Sequence, residues 1–426
     1  MIALPPPDPT LAGMSVALDG EAIAQLLRRT LREVTVFGCE PYYIKYKPQR
    51  YCRVQYWVEL LDEEGQNVRI PAHVALYPPR RAEKLAAGHG LLYGNDPHQS
   101  ERAAYIRELH AIVQLFPVDL ALLGLSEAAS GPAMTCRLQR ELPHRLGGEL
   151  RGCKVELIRY KAQKRAVLRY RLDGTEVQTV YGKLRKDGGS ALARSAGAFT
   201  RAGVPTPEMH AWFADLGMVV QAEGTGVRLR DLRHTAEYVK WMPAVAQTLK
   251  SVHEADVKGL PRYSQGDEAE ELQDTADTIG RLVPHLAATV KNLAGRLSER
   301  LIAIDGEVST THGSFHDDQV LVGDAGVTLI DVDDATLANP LSDVGHFLSY
   351  LSAEGAEEAY DRFLTCYLST QSGVGGEHLL FEAVSLLRWA TQPFRELQPD
   401  WPSAVERLVR LAEARLEEHL RRSHAP

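Results

Sequence analysis

Between Thr311 and Asp334 the chain reads THGSFHDDQVLVGDAGVTLIDVDD, and this stretch gathers the side chains best suited to chemistry. Acids and amides crowd both ends of a short turn set between two apolar runs, Gln319 to Val322 and Val327 to Ile330. The fragment IDVDD puts Asp331 just after a strand-like run, where a carboxylate can reach a metal ion or a phosphate. A carboxylate there, beside an amide side chain, is poor design for structure alone. His312, Ser314, His316 and Gln319 lie on the loop that enters the hairpin. Two other chemistries are set aside. His312 and His316 have the spacing of a helical zinc pair, but Gly313 and the strand that follows argue for a loop. A hydrolase elbow needs GxSxG around Ser314, and His312 stands where its first glycine would be.

HGSFHDDQ, an apolar strand and then IDVD resembles the catalytic and metal-binding segment of the aminoglycoside phosphotransferase and choline kinase-like family. There the pattern runs HGDxHxxN, strand, IDxD. The resemblance implies an ATP- and Mg2+-dependent phosphotransferase (another nucleoside triphosphate could replace ATP) acting on a hydroxyl of a small molecule such as a sugar. Asp331 then stands for a metal ligand, with Gln319 in the place of a metal-binding asparagine and Asp333 as a second contact. Gln319 keeps the amide oxygen and adds one methylene, so a metal could be held with adjusted geometry. Ser314 stands where the family has its catalytic aspartate. A positioned base contributes about 10²–10⁴ in rate, and a neutral serine takes no proton near pH 7. Because phosphoryl transfer passes through a loose transition state, its loss slows transfer without necessarily abolishing it. Asp317 or Asp318 could substitute only if the loop turns them inward; solvated acids are the simpler expectation. His312 is a structural hydrogen-bonder in the family, and Asp343 in NPLSDVGHFL matches an aspartate that braces the loop. His253 is expected as a packed structural histidine.

Nucleotide contacts follow from the same resemblance. Lys183, in TVYGKLRKD at the end of a strand, matches the phosphate-binding lysine. Lys161 and Lys164, in the turn KAQKR, occupy the place of the loop that covers phosphates, without its glycines. Gln221, Ala222 and Glu223 fall where the family's hinge offers backbone groups to adenine. The helix after Lys183, SALARSAGAFTRAG, contains no acid to orient that lysine as kinases usually do. A second reading is therefore kept open: a pseudokinase, a nucleotide-binding or partner-binding regulatory module without transfer activity.

Elements must position these groups. Residues 38–56 (GCEPYYIKYKPQRYCRVQY) and 152–170 (GCKVELIRYKAQKRAVLRY) match without a gap at seven of nineteen positions. Each copy reads as two strands joined by a basic turn. Strands also read at Val68–Tyr77, Glu176–Leu184 and Met218–Gln221, and helices at Ser100–Leu115, Ser190–Ala202, Tyr238–His253 and Leu282–Ile304. Further helices fall near 341–352, 355–370, 377–390 and 402–421. Strands first and helices later make an α+β layout. With the resemblance this implies a bilobal protein kinase-like fold with a duplicated N-terminal cap subdomain. Residues 1–128 would be the cap, a degenerate copy of the small lobe, 129–225 the small β-rich lobe, and 226–426 the helical lobe. Maltokinase-like members of the family carry a comparable cap.

Composition narrows the setting. The net charge of −8 over 426 residues speaks against bulk nucleic-acid or anionic-membrane binding. No stretch approaches the roughly 18 apolar residues of a membrane span. Five scattered cysteines suit free thiols in a reducing compartment. The start has no cationic region and no long apolar run, so it does not read as a signal peptide. A cytoplasmic protein with a small-molecule partner is expected, or a protein partner if it is a pseudokinase.

Overall fold

The computed structural model describes residues 3–31, 34–62, 65–91, 102–304, 308–369 and 376–423. Two compact units are present: residues 1–189 with 213–218 and 392–402, and residues 190–212 with 219–391 and 403–426.

In the first unit, strands β1 (Val36–Lys47), β2 (Tyr51–Leu61), β3 (Asn67–Leu76), β4 (Ala103–Ile106) and β5 (Ala111–Leu115) form an antiparallel sheet in the order β1-β2-β3-β5-β4. Alternation explains the two faces. Cys52, Val54, Tyr56, Val58 and Leu60 of β2 are buried on one side. Gly20–Thr30, a helix capped by Asp19, packs toward the sheet, and its Arg28 donates to the carbonyls of Val36 and Phe37. Strands β6 (Gly148–Lys161), β7 (Arg165–Thr175) and β8 (Thr179–Arg185) follow as a second antiparallel meander.

The repeated sequence folds alike down to single hydrogen bonds. Asp8 Oδ2 accepts from the Tyr46 hydroxyl (2.8 Å) and the Gln49 amide (2.8 Å). Asp119 Oδ2 accepts from Tyr160 (2.8 Å) and Gln163 (2.7 Å) in the same way. The Tyr56 hydroxyl donates to the Ala17 carbonyl, and that of Tyr170 to Ala128. Gln49 and Gln163 share a left-handed backbone, φ 58° and 59°. Even the helix approach recurs: a Cβ on Gly20 would sit 2.0 Å from the Cys39 carbonyl oxygen, and one on Gly131 2.5 Å from that of Cys153.

The second unit is mainly helical. It holds the helices Ser190–Arg201, Ala236–Glu254, Gln265–Leu282, Ala287–Ala303, Leu341–Ala353, Glu357–Leu368 and Glu377–Trp389. Its short strands include β9 (Met209–Phe213) and β10 (Met218–Ala222), apart from Phe213 and Met218, together with β11 (Val227–Arg228), β12 (Ser309–Thr311), β13 (Val320–Gly323), β14 (Gly326–Leu329) and β15 (Thr336–Ala338). No described helix is long and apolar enough to cross a membrane.

Two expectations change. The stretch expected as a helix, Ser100–Leu115, is instead β4, a helical turn and β5, with residues 100 and 101 outside the described part. Pairing of β5 with β3 from Ala72↔Leu115 to Leu76↔Ala111 satisfies its backbone and outweighs its helical spacing. The long helix from Leu282 begins only at Ala287, because Pro284 ends continuity with Gln265–Leu282. Residue 370, the end of the helix expected at 355–370, also lies outside the described part.

Candidate active site

Within the second unit, β12 pairs antiparallel with β15, and this short ladder launches the loop His312–Gln319. Gly313 makes the turn possible. Its φ is +81°, and a Cβ there would lie 2.0 Å from the Asp334 carbonyl oxygen. The loop's first amides are held by one carboxylate: Asp343 accepts from the His312 amide (2.6 Å) and the Gly313 amide (2.9 Å). Its Oδ2 also meets His253 Nε2 at 3.2 Å, and His253 Nδ1 meets the Tyr367 hydroxyl at 2.8 Å. Burial opposes the charge on Asp343, yet His253 and the loop amides hold its pKa below the usual carboxylate value. The brace is therefore an anion.

Gln319 is 4% exposed. In the amide orientation found here, its Nε2 donates to Ser314 Oγ at 3.2 Å, while its Oε1 is buried with no partner. The Ile330 amide donates to the Gln319 carbonyl at 2.9 Å, so the residue before Asp331 is tied directly to Gln319. Asp331 itself is half-buried, adopts a left-handed backbone (φ 64°) and opens the helical turn Val332–Asp334 that carries Asp333. A buried acceptor without a donor costs about 1–3 kcal/mol unless something binds it. An oxygen-only set of one amide and two carboxylates suits a hard divalent cation. Residues Gln319, Asp331 and Asp333 thus fit Mg2+ chemically.

Asp317 corrects an expectation. It is 1% exposed, not solvated. Arg233 grips both its oxygens (Nε at 2.5 Å, Nη2 at 2.8 Å), and the Tyr238 hydroxyl adds a third bond at 3.0 Å. A carboxylate bonded through both oxygens to a guanidinium and a hydroxyl is fixed as an anchor for the loop. Asp318 faces Arg228 at 3.4 Å. Arg233 and Tyr238 are the residues that sequence reasoning missed; no local pattern links them to a position some 80 residues away. The same two line an open cleft of about 430 Å³ that includes Glu354 and Glu358 but none of residues 312–319 or 331–334.

His312 is fully buried; Nε2 lies 3.1 Å from the Ile330 carbonyl and Nδ1 has no partner. Its contacts are those of a structural residue. His316 stacks on Tyr350 (4.8 Å, 18°), which in turn meets Trp389 at 4.2 Å. In β10, Gln221 is buried, the Ala222 amide already donates to the Glu208 carbonyl (2.8 Å), and Glu223 is exposed.

In the first unit, Lys183 sits in β8 opposite Val167 and is 7% exposed. Lys161 and Lys164 flank a β6–β7 turn pinned by Asp119 through the Gln163 amide; Lys161 is half-buried and Lys164 exposed. The helix Ser190–Arg201 carries no acid.

Residues 167–380 match the family model of the phosphotransferase enzyme family. A putative aminoglycoside phosphotransferase from Ralstonia eutropha superposes with a TM-score of 0.51 at 16% identity, over 68% of this chain and 98% of that one. A choline/ethanolamine kinase family protein from Mesorhizobium loti gives 0.50 at 16% identity, over 68% and 97%. The choline kinase LicA from Streptococcus pneumoniae gives 0.50 at 14%, over 66% and 99%. Among curated proteins none matches. The α+β, protein kinase-like fold is shared with these structures, each of which is covered almost whole.

Proposed function

The chain belongs to the phosphotransferase enzyme family, and from that premise we propose that it transfers a phosphoryl group from ATP to a hydroxyl of a small molecule, with Mg2+ as cofactor and sugars as the first acceptor class to test. The observation that carries this reading is the buried, partnerless Oε1 of Gln319 beside the Asp331 turn, in a loop that an ionised Asp343 holds still. Gln319, Asp331 and Asp333 would hold the metal. Mg2+, when bound, supplies the positive charge that offsets charge gathering on the phosphoryl oxygens. Lys183 would hold a phosphate, with Lys161 and Lys164 adding charge above it, and the backbone of Gln221 to Glu223 would receive the base. His312 and Asp317 act by positioning the loop. Ser314 can only hydrogen-bond the acceptor hydroxyl, so its turnover should be slower than that of an enzyme with aspartate there.

The domain assignment belongs to the same proposal: a cap over 1–128 derived from a copy of the small lobe, the small lobe over 129–225 and the helical lobe over 226–426. The twin Asp8 and Asp119 anchors support the copy. Five free cysteines favour a cytoplasmic setting.

A second reading, a nucleotide- or partner-binding pseudokinase, is favoured by the bonds that Arg233 and Tyr238 make to both oxygens of Asp317, which keep that acid from replacing the base. Labelled ATP with a panel of sugars, aminoalcohols and aminoglycosides tests the first. Transfer that vanishes in Asp331→Asn supports it; no transfer to any acceptor overturns it. Ser314→Asp separates the two readings. A missing base should be restored by roughly 10²-fold or more, whereas a pocket remodelled for regulation gains nothing. A thermal-shift titration with ATP, with and without Mg2+, reads binding alone.

A further inference from the structure

One face of the first sheet is polar where a sheet buried on both sides is expected to be apolar. Gln55, His73 and Gln114 point to it from paired positions on β2, β3 and β5, at 5%, 1% and 1% exposure. Gln55 Nε2 donates to the Tyr160 carbonyl (3.2 Å), which brings the β6–β7 turn and its Lys164 to this face. Lys45 and Arg53 are direct cross-strand partners on it, so their side chains rise side by side. Phe394 meets Tyr46 (6.4 Å) on the opposite face of β1, and Arg395 beside it is near enough to repel Lys45.

Like charges placed directly across a ladder are destabilising, and these have no acid among them. Among the described residues none of Lys45, Arg53, Lys164 and Arg395 has a carboxylate partner. Asp119, the acid that acts on His73, already accepts from Tyr160, Gln163, Ala121 and Leu122. Two donors are left over. Arg53 lies over the Tyr51 ring (4.5 Å) and gives one nitrogen to the Tyr77 hydroxyl (3.2 Å), but its Nε is buried without a partner. His73 Nδ1 meets Gln114 Nε2, so it accepts there and Nε2 carries the proton; that Nε2 is also buried without a partner. Buried donors with nothing to donate to are rare in folded proteins.

We propose that this face is a second anion site, built by Lys45, Arg53 and His73 with Lys164 and Arg395 at its rim, and that it takes a phosphate-bearing ligand. Phosphate offers several acceptor oxygens at once and matches the planar fork of a guanidinium. Lys183 has no counterpart here: in the repeat's register Arg53 stands for Val167, and the residue across from it is Ala75, not lysine. The three residues that build the site, Lys45, Arg53 and His73, all lie within residues 1–128, while Lys164 and Arg395 reach its rim from later in the chain; the site stands whether or not the chain transfers phosphate.

Burial, then repulsion from Arg395, Lys164, Arg53 and Lys47, holds Lys45 down to about 8. Near neutral pH a tenth or so of it is an uncharged, nucleophilic amine. This permits a test on the intact protein. Lysines are acylated briefly with an N-hydroxysuccinimide ester and read by mass spectrometry, with inorganic phosphate, pyrophosphate, a sugar phosphate or sodium chloride of equal ionic strength present. Lys45 is expected to react faster than the exposed Lys84 and to be protected about tenfold by at least one phosphate compound, saturably, while chloride leaves it unchanged. The compound that protects at the lowest concentration tells a free phosphate from a phosphorylated metabolite. Equal labelling in all conditions, or equal protection by chloride, overturns the proposal. Arg53→Gln offers an independent reading: it should weaken protection of Lys45 tenfold or more, and unaltered protection counts against the site.

Discussion

Replacing Arg233 with methionine would leave the carboxylate of Asp317 buried with only the Tyr238 hydroxyl to face it. Breaking one side of a buried ion pair costs roughly 3–5 kcal/mol, so Arg233→Met should lower the urea midpoint accordingly. Arg233→Met with Asp317→Asn should recover part of that loss. A single variant as stable as the wild type would show that the clamp does not anchor the loop. A second residue gives a pH signature. Burial, and then His316, push His346 down to about 3, against about 6.5 in an unfolded chain. Between those values the unfolded chain binds the additional proton, so the contribution is whole above about pH 6.5 and falls away as pH drops toward 3. Asp343, held low, works in the same sense further down: its contribution is present above the unfolded value near 4 and is lost as pH falls through the folded one. His346→Gln should flatten the decline between pH 6.5 and 4 in stepped urea titrations and leave the drop below pH 4 in place. Gln319, Asp331 and Asp343 could be singled out from the sequence because they follow one another within a short stretch of chain, and Asp343 does bind the His312 and Gly313 amides. Nothing in it disclosed that Asp317 is locked, since its partners, Arg233 in a turn and Tyr238 in the helix Ala236–Glu254, lie some 80 residues earlier in the chain.

At the level of elements, the turn that opens the loop His312–Gln319 depends on a single backbone geometry. Gly313→Ala forces a side chain into a left-handed conformation and against the Asp334 carbonyl, a strain of order 1–3 kcal/mol. The substitution should free the His312 and Gly313 amides from Asp343, seen as faster hydrogen exchange at those two positions; unchanged exchange would mean the turn tolerates a Cβ. Elements whose signal is local were legible from the residues alone. The β6–β7 hairpin, the helix Ala236–Glu254 and the β13–β14 hairpin fall within a few residues of their expected places. The segment that became β4 and β5 was not legible, because its helical spacing of apolar residues is real and only the distant edge of β3 decides against it. Pro284 marks the break, since proline lacks the amide that would carry the helix on, although Pro243 is accommodated inside Ala236–Glu254.

For the whole molecule, the repeat was visible over nineteen residues and then lost. The tyrosines and glutamines of the two hairpins lie at one constant offset, Tyr46 to Tyr160 and Gln49 to Gln163, while their anchors Asp8 and Asp119 are three residues closer together. A gap of three hides the rest of the copy from an ungapped reading, although a single carboxylate does the same work in both. The chain's far end also returns to this unit. Phe394 and Trp401, each 2% exposed, lie edge to face at 5.0 Å, and the Trp401 indole donates to the Ala3 carbonyl at 2.7 Å. Phe394 in turn meets Tyr46. A chain shortened to residues 129–426 would thus strip cover from two large aromatic rings and from the Tyr160 carbonyl that Gln55 satisfies. Fully burying one such side chain contributes about 1.5–3 kcal/mol, so the shortened chain should aggregate or melt well below the full one. Calorimetry and size-exclusion chromatography read this directly. A monomeric 129–426 fragment with an undiminished melting temperature would mean that residues 1–128 lend the rest of the chain no stability and that the two portions fold as independent bodies.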